Sequence, residues 1–196
     1  MARRRVNLQM LTERCLSAFV AAGTLELSMD RLSSAVRVSK RMLIHYFGSR
    51  DSLELQTLLL LEERLRAQFS PQSFPGRLSA QQLITRLWER ASAPEARGML
   101  LLIMDISRRA WLGSQRARQF YAQQQELWMQ LLLGYLPDRA TVEAVLQSFQ
   151  GAVLAYLISG DRQTARRALL RRVTGSSRRR SGKRVRTTLG AHPRRA

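Results

Sequence analysis

Residues 23–53 read GTLELSMDRLSSAVRVSKRMLIHYFGSRDSL, and this stretch decides the fold. Before it, Leu8, Leu11, Cys15, Phe19 and Ala22 recur at the spacing of one helix face. They predict a first helix over about residues 8–22, closed by Gly23. Ser28 can cap a short helix over Met29–Val36, and Ser39 a second over Lys40–Phe47. A serine hydroxyl does this by accepting from a free N–H of the first turn. Two short helices joined by a tight turn form a helix-turn-helix. Leu43 and Phe47, one turn apart, give the second helix an apolar side. Arg41, Met42, Ile44 and His45 then project away from that core. Such a helix suits the DNA major groove, where arginine can pair with guanine and apolar groups can meet thymine methyls. Ser28, Ser39, Lys40, Tyr46, Ser49 and Arg50 are better placed for phosphates, beside the free N–H groups at helix starts.

The charge supports a polyanionic partner. The 196 residues carry a formal net charge of +19. Residues 1–50 hold nine basic and three acidic side chains, residues 51–161 eleven of each, and residues 162–196 thirteen basic and none acidic. The excess therefore sits at the two ends, and nucleic acid is the partner it fits.

The rest of the chain reads as helix. Arg50 opens a long helix to about Phe69, and the segment Ser70–Gly76 breaks it. Further helices are expected over about Ser79–Ala91, Glu95–Leu112, Ser114–Leu136, Arg139–Ser159 and Arg162–Val173, bounded by Pro94, Gly113, Pro137 and Gly160. No stretch alternates as a strand does, so the expected class is all-α. From Thr174 onward arginine, serine and glycine dominate, and the expectation is a basic disordered tail over 174–196. It either adds electrostatic grip on DNA or is a solvated appendage.

Other classes are disfavoured. The chain has no glycine-rich phosphate loop, no metal-ligand spacing and no nucleophile–base pair; its only histidines are His45 and His192. No catalytic residue, metal or cofactor is expected. The single cysteine, Cys15, lies on an apolar helix face and is expected to be core; one cysteine permits no internal disulfide, which fits a cytoplasmic location. Arg3, Arg4 and Arg5 before the apolar run Cys15–Gly23 imitate a signal peptide, but Glu13 and Arg14 interrupt it, so export is not expected. The apolar runs Met99–Met104 and Leu58–Leu61 are too short to span a bilayer, and no membrane partner is expected.

These residues carry a resemblance. Gly23–Met29, Leu32 and Val38–Leu53 together resemble the signature of TetR-family transcriptional regulators. In that signature a glycine follows the first helix and a serine or threonine caps the second. A valine–serine turn, an aromatic-rich recognition helix ending in phenylalanine, and a basic residue before the fourth helix complete it. The likeness is specific over about residues 8–60 and looser over 138–173. Three positions depart from it: Arg37 stands where glycine is usual in the turn, Ile44 where tyrosine is usual, and Arg50 where lysine is commoner.

The resemblance implies an N-terminal DNA-binding domain over 1–50 and a helical ligand-binding and dimerisation domain over 51–173, with 51–69 as the connecting helix. It further implies a homodimer on a palindromic double-stranded operator, released by a small, largely apolar effector. Trp88, Met104, Asp105, Trp111, Tyr121 and Trp128 are the candidate effector contacts, although apolar residues at helical spacing serve equally as plain core. Asp105 reads either as a counter-charge for a cationic ligand or as the partner of Arg108 or Arg109. The implied dimer seam is the stripe Val142, Val145, Leu146, Phe149, Val153, Tyr156 and Leu157, with Leu169 from the last helix. The alternative reading is a non-specific basic nucleic-acid-binding protein.

Overall fold

The structure is a computed structural model, and it describes residues 7–69, 73–74 and 78–171. The basic tail over 174–196 lies outside the described residues. Among the described residues every regular element is a helix: α1 (Leu8–Ala22), α2 (Met29–Val36), α3 (Lys40–Phe47), α4 (Arg50–Gln68), α5 (Ala80–Ala91), α6 (Arg97–Trp111), α7 (Gln115–Leu133) and α8 (Arg139–Ser159). A 3₁₀ turn, Pro94–Ala96, precedes α6, and a final helix, α9, occupies 162–171. The expected all-α class holds.

Local chemistry sets the boundaries. The Asn7 side chain accepts from Gln9 N–H, Ser28 from Arg31, Ser39 from Met42, Ser49 from Ser52 and Asp138 from Thr141. Each such cap contributes on the order of 1 kcal/mol. Gly23 ends α1 at φ 67°, a left-handed conformation that costs glycine nothing. A Cβ there would also lie 2.8 Å from the Leu101 Cβ, so the position excludes a side chain twice over. Gly98 serves closeness alone: a Cβ on it would come within 2.3 Å of the Val20 carbonyl, and its absence lets α6 lie directly on α1.

The described residues fall into two compact units. The first comprises α1–α4, α6 and α7 as far as Leu131; the second comprises α5 as far as Glu89, the end of α7, α8 and α9. The unit that carries the helix-turn-helix thus runs past the residue-50 boundary drawn from the sequence, because α1 packs on α4 and α6 as well as on α2. Its core is built from Leu11, Cys15, Leu16 and Phe19 of α1, Leu32 and Val36 of α2, Leu43 and Phe47 of α3, Leu53 and Leu61 of α4, and Leu102 and Ile106 of α6. Cys15 is fully buried, and burial pushes its thiol up to about 11 against the pull of Arg50, so the group stays protonated and inert. The second unit buries Leu83, Ile84, Leu87 and Trp88 of α5 together with Val142, Val145, Leu146 and Val153 of α8 and Ala165 and Leu169 of α9.

α8 departs from one expectation. It is 21 residues long, and among the described residues it is the one helix long and apolar enough to cross a membrane. Its apolar run Ala152–Ile158 covers only its last third, and the rest of its length mixes Val, Ala, Leu and Phe with polar residues.

Arg37 closes α2 at φ 57°, ψ 42°, the only non-glycine with positive φ among the described residues. A Cβ in that region costs about 1–2 kcal/mol. Arg37→Gly removes the strain but enlarges the unfolded ensemble. The expected net is a gain of about 0.5 kcal/mol, read as a rise in melting temperature of roughly 1–2 °C. An unchanged or lower melting temperature would show that the turn holds its shape without strain.

Candidate nucleic-acid interface

Leu43 is fully buried and Phe47 nearly so, and this anchors one side of α3. Lys40, Arg41, Met42, Ile44 and His45 are exposed on the remainder. Met42 and Ile44 are 36% and 41% exposed, which leaves them open to an apolar partner. The His45 and Tyr46 rings meet edge-on with centroids 5.5 Å apart, so Tyr46 braces the imidazole. Lys40 pairs with Asp30 at 3.4 Å, both side chains largely exposed; such a pair is worth little and exchanges readily for a phosphate.

Ser28, Ser39 and Ser49 are exposed, and each accepts from the first turn of its own helix. Capping consumes an oxygen lone pair but not the hydroxyl proton, which remains a donor. The serines thus stand beside the N-termini of α2, α3 and α4, where backbone N–H groups favour an anion.

Arg50 turns its guanidinium inward: Nε donates to Glu54 Oε1 at 2.7 Å, Nη1 to the Leu27 carbonyl at 2.7 Å, and Nη2 to the Leu25 carbonyl. It also stacks over the Phe19 ring at 5.4 Å. With most of its donors on the protein, Arg50 latches α4 to the segment that leads into α2.

The effector candidates differ in their surroundings. Trp111 is 82% exposed at the end of α6 and Tyr121 is 40% exposed. Trp88 is fully buried in the second unit, edge-on to Phe149 and Tyr156, while Trp128 packs on Phe69 in the first at 4.8 Å. Met104 is half-buried. One cavity of about 540 Å³ is lined by Asp51, Glu54, Arg109 and Arg116 among others, and another of about 530 Å³ runs along α8 and α9. None of the six candidates lines either.

Asp105 proves to be a clasp. Its Oδ2 accepts from the Thr24 hydroxyl and the Leu25 N–H, both at 3.0 Å, and the carboxylate pairs with Arg108 at 3.0 Å and Arg109 at 3.3 Å. A carboxylate so occupied has no lone pair left for a ligand cation. Burial pushes its pKa up, but the Leu25 N–H and the side chains of Arg108, Thr24 and Arg109 together outweigh it and hold the carboxyl below its usual range. A depressed carboxyl contributes stability above its unfolded pKa and loses it as pH falls through the folded value. Thermal unfolding should therefore drop more steeply below about pH 4 for the native chain than for Asp105→Asn. Parallel acid limbs would show that the charge adds nothing to the fold.

Most of the expected seam residues are occupied within their own chain. Val142, Val145, Leu146, Val153 and Leu169 are all buried by their own chain, and Phe149 and Tyr156 are half-buried against Trp88. Leu157 is half-buried too. Surface already removed from water cannot be removed again by a second copy. What the chain leaves open on α8 is Leu154, at 50% exposure, and Ile158, at 78%. The small residues Ser148, Gly151, Ala155, Ser159 and Ala168 line the neighbouring groove. Sequence reasoning passed over Leu154 and Ile158; their one-turn spacing on a helix apolar all round was the available signal.

No family model matches the sequence, and no curated protein is similar to it. Solved structures are similar in fold. A transcriptional regulator from Rhodococcus sp. Rha1 superposes with a TM-score of 0.70 at 14% identity, covering 88% of this chain and 97% of that one. A TetR-family transcriptional regulator from Streptomyces coelicolor gives 0.65 at 19% identity, covering 86% and 95%. A TetR transcriptional regulator from Legionella pneumophila gives 0.64 at 16% identity, covering 88% and 98%. The chain has the fold of these regulators over nearly their whole length.

Proposed function

We propose that this chain is a cytoplasmic, sequence-specific DNA-binding transcriptional repressor of the TetR type, not an enzyme, working as a homodimer on a palindromic operator. The observation that carries the proposal is the exposed face of α3. Arg41, Met42, Ile44 and His45 stand clear of a side fixed by Leu43 and Phe47. Arg41 reads guanine, Met42 and Ile44 meet thymine methyls, and His45 reads a base edge. Ser28, Ser39, Lys40, Tyr46 and Ser49 hold phosphates on either side. A two-fold pair of such heads matches an inverted repeat. The free apolar face of α8 at Leu154 and Ile158, with α9 beside it, is the seam the exposure favours. Release by a small, largely apolar effector completes the reading and rests on the resemblance of the sequence.

Selection of duplexes from a random pool, followed by gel-shift competition against random DNA, tests the reading. An enriched inverted repeat is expected. Binding without enrichment would leave the basic termini as the whole of the interaction and make the chain a non-specific nucleic-acid binder.

A further inference from the structure

The residues between Gly23 and Ser28 lead from α1 into the cap of α2, and they are held from two sides. Asp105 of α6 takes their donors, the Thr24 hydroxyl and the Leu25 N–H, on one oxygen. Arg50 of α4 takes their acceptors, the carbonyls of Leu25 and Leu27. The two clamps are themselves joined. Arg50 bonds Glu54 Oε1 at 2.7 Å; Arg109 Nη1 lies 3.4 Å from Glu54 Oε2, and Arg109 Nε lies 3.3 Å from Asp105 Oδ2. A ring therefore runs Arg50, Glu54, Arg109, Asp105 and closes on the backbone of Leu25. It is shielded: the side chains of Asp105, Glu54 and Arg109 are 9%, 16% and 23% exposed.

Shielded charges pay a desolvation cost that apolar residues of the same size avoid, so such a ring is a poor way to gain stability. It is a good way to favour one arrangement: Arg50, Glu54 and Asp105 meet their partners through hydrogen bonds, and Arg109 Nε, buried 3.3 Å from Asp105 Oδ2 without a hydrogen bond, holds its place through charge. What it fixes is the entry into α2, and α3 packs on α2. We infer that Asp105, Glu54 and Arg109 are positioning residues for DNA reading, setting where α2 and α3 stand through a contact that α6 makes 80 residues away in sequence. This inference rests on the assignment of α3 as the reading helix. None of the three touches DNA.

The test uses the full chain and the duplex that the native protein itself enriches from a random pool. Asp105→Ala is expected to lower affinity for that duplex about tenfold or more, with affinity for random duplex within about twofold and the helical CD signal unchanged. Loss of preference without loss of general binding is what positioning predicts and general loosening does not. Asp105→Asn keeps an oxygen for the Leu25 N–H, so it should recover part of the loss. Combined with Arg50→Met, Asp105→Ala should cost less than the product of the two single losses, because both hold the same residues. If Asp105→Ala fails to fold, Thr24→Val removes one bond only and is expected to weaken preference about threefold. A folded variant with native preference overturns the inference, and so does an equal fall on both duplexes. Failure of the native chain to enrich any sequence would instead remove the reading-helix assignment, and the inference with it.

Discussion

Replacing Arg41 and His45 together by alanine should leave a folded chain that no longer prefers its operator to random DNA. Both side chains are exposed, so neither contributes to the core that Leu43 and Phe47 build. The helical CD signal and the melting temperature should therefore stay within the small range of surface substitutions. What is lost is base contact. A good bidentate pair is worth about 1–3 kcal/mol of discrimination, and the dimer presents each residue twice. The operator-to-random ratio should fall by roughly a hundredfold or more. Lys40 and the three serines remain, so binding to random DNA should persist with nearly its native salt dependence. Leu43→Ala is the contrasting control: it empties a buried site, costs about 3 kcal/mol of folding stability, and loses DNA binding by unfolding the head. A double variant with native operator preference would take the reading role away from α3.

The helix-turn-helix was legible because its signals are local. Caps at Ser28 and Ser39 and the stop at Gly23 each depend on a few neighbouring residues, and those neighbours are adjacent in the chain. Arg50 is legible only in part. Glu54 stands four residues on, within helical reach. Its other partners, Leu25, Leu27 and the Phe19 ring, lie in other segments, and spacing does not encode them. Asp105 shows both cases at once. Arg108 and Arg109 sit three and four residues on, within helical reach, and were foreseeable. Thr24 and Leu25 were not.

The surroundings of the aromatic candidates were illegible on the same ground. Periodicity marks which residues are apolar but not what lies opposite them, so Trp88 in a core and Trp111 in solvent look alike. α8 carries this furthest. It is apolar on nearly every side, and the stripe with the largest side chains turns out to serve its own chain.

That difference yields the second large effect. Ile158→Arg should convert a dimer into monomers without harming the fold. At 78% exposure the residue has little contact within its own chain, and arginine there costs the isolated chain almost nothing. In a two-fold seam the same arginine would be taken out of water against an apolar face with no partner, at a cost of several kcal/mol. The dimer dissociation constant should rise by about a thousandfold, visible by sedimentation at micromolar concentration. Operator affinity should fall by at least about a hundredfold, since two heads no longer share one binding event. Phe149→Arg should behave differently. Phe149 packs on Trp88 with ring centroids 5.9 Å apart, so arginine there would place a charge against the chain's own core and lower the melting temperature even of a monomer. The pair of variants separates a seam residue from a core residue on one helix. An Ile158→Arg chain that still sediments as a dimer would move the seam off this face of α8.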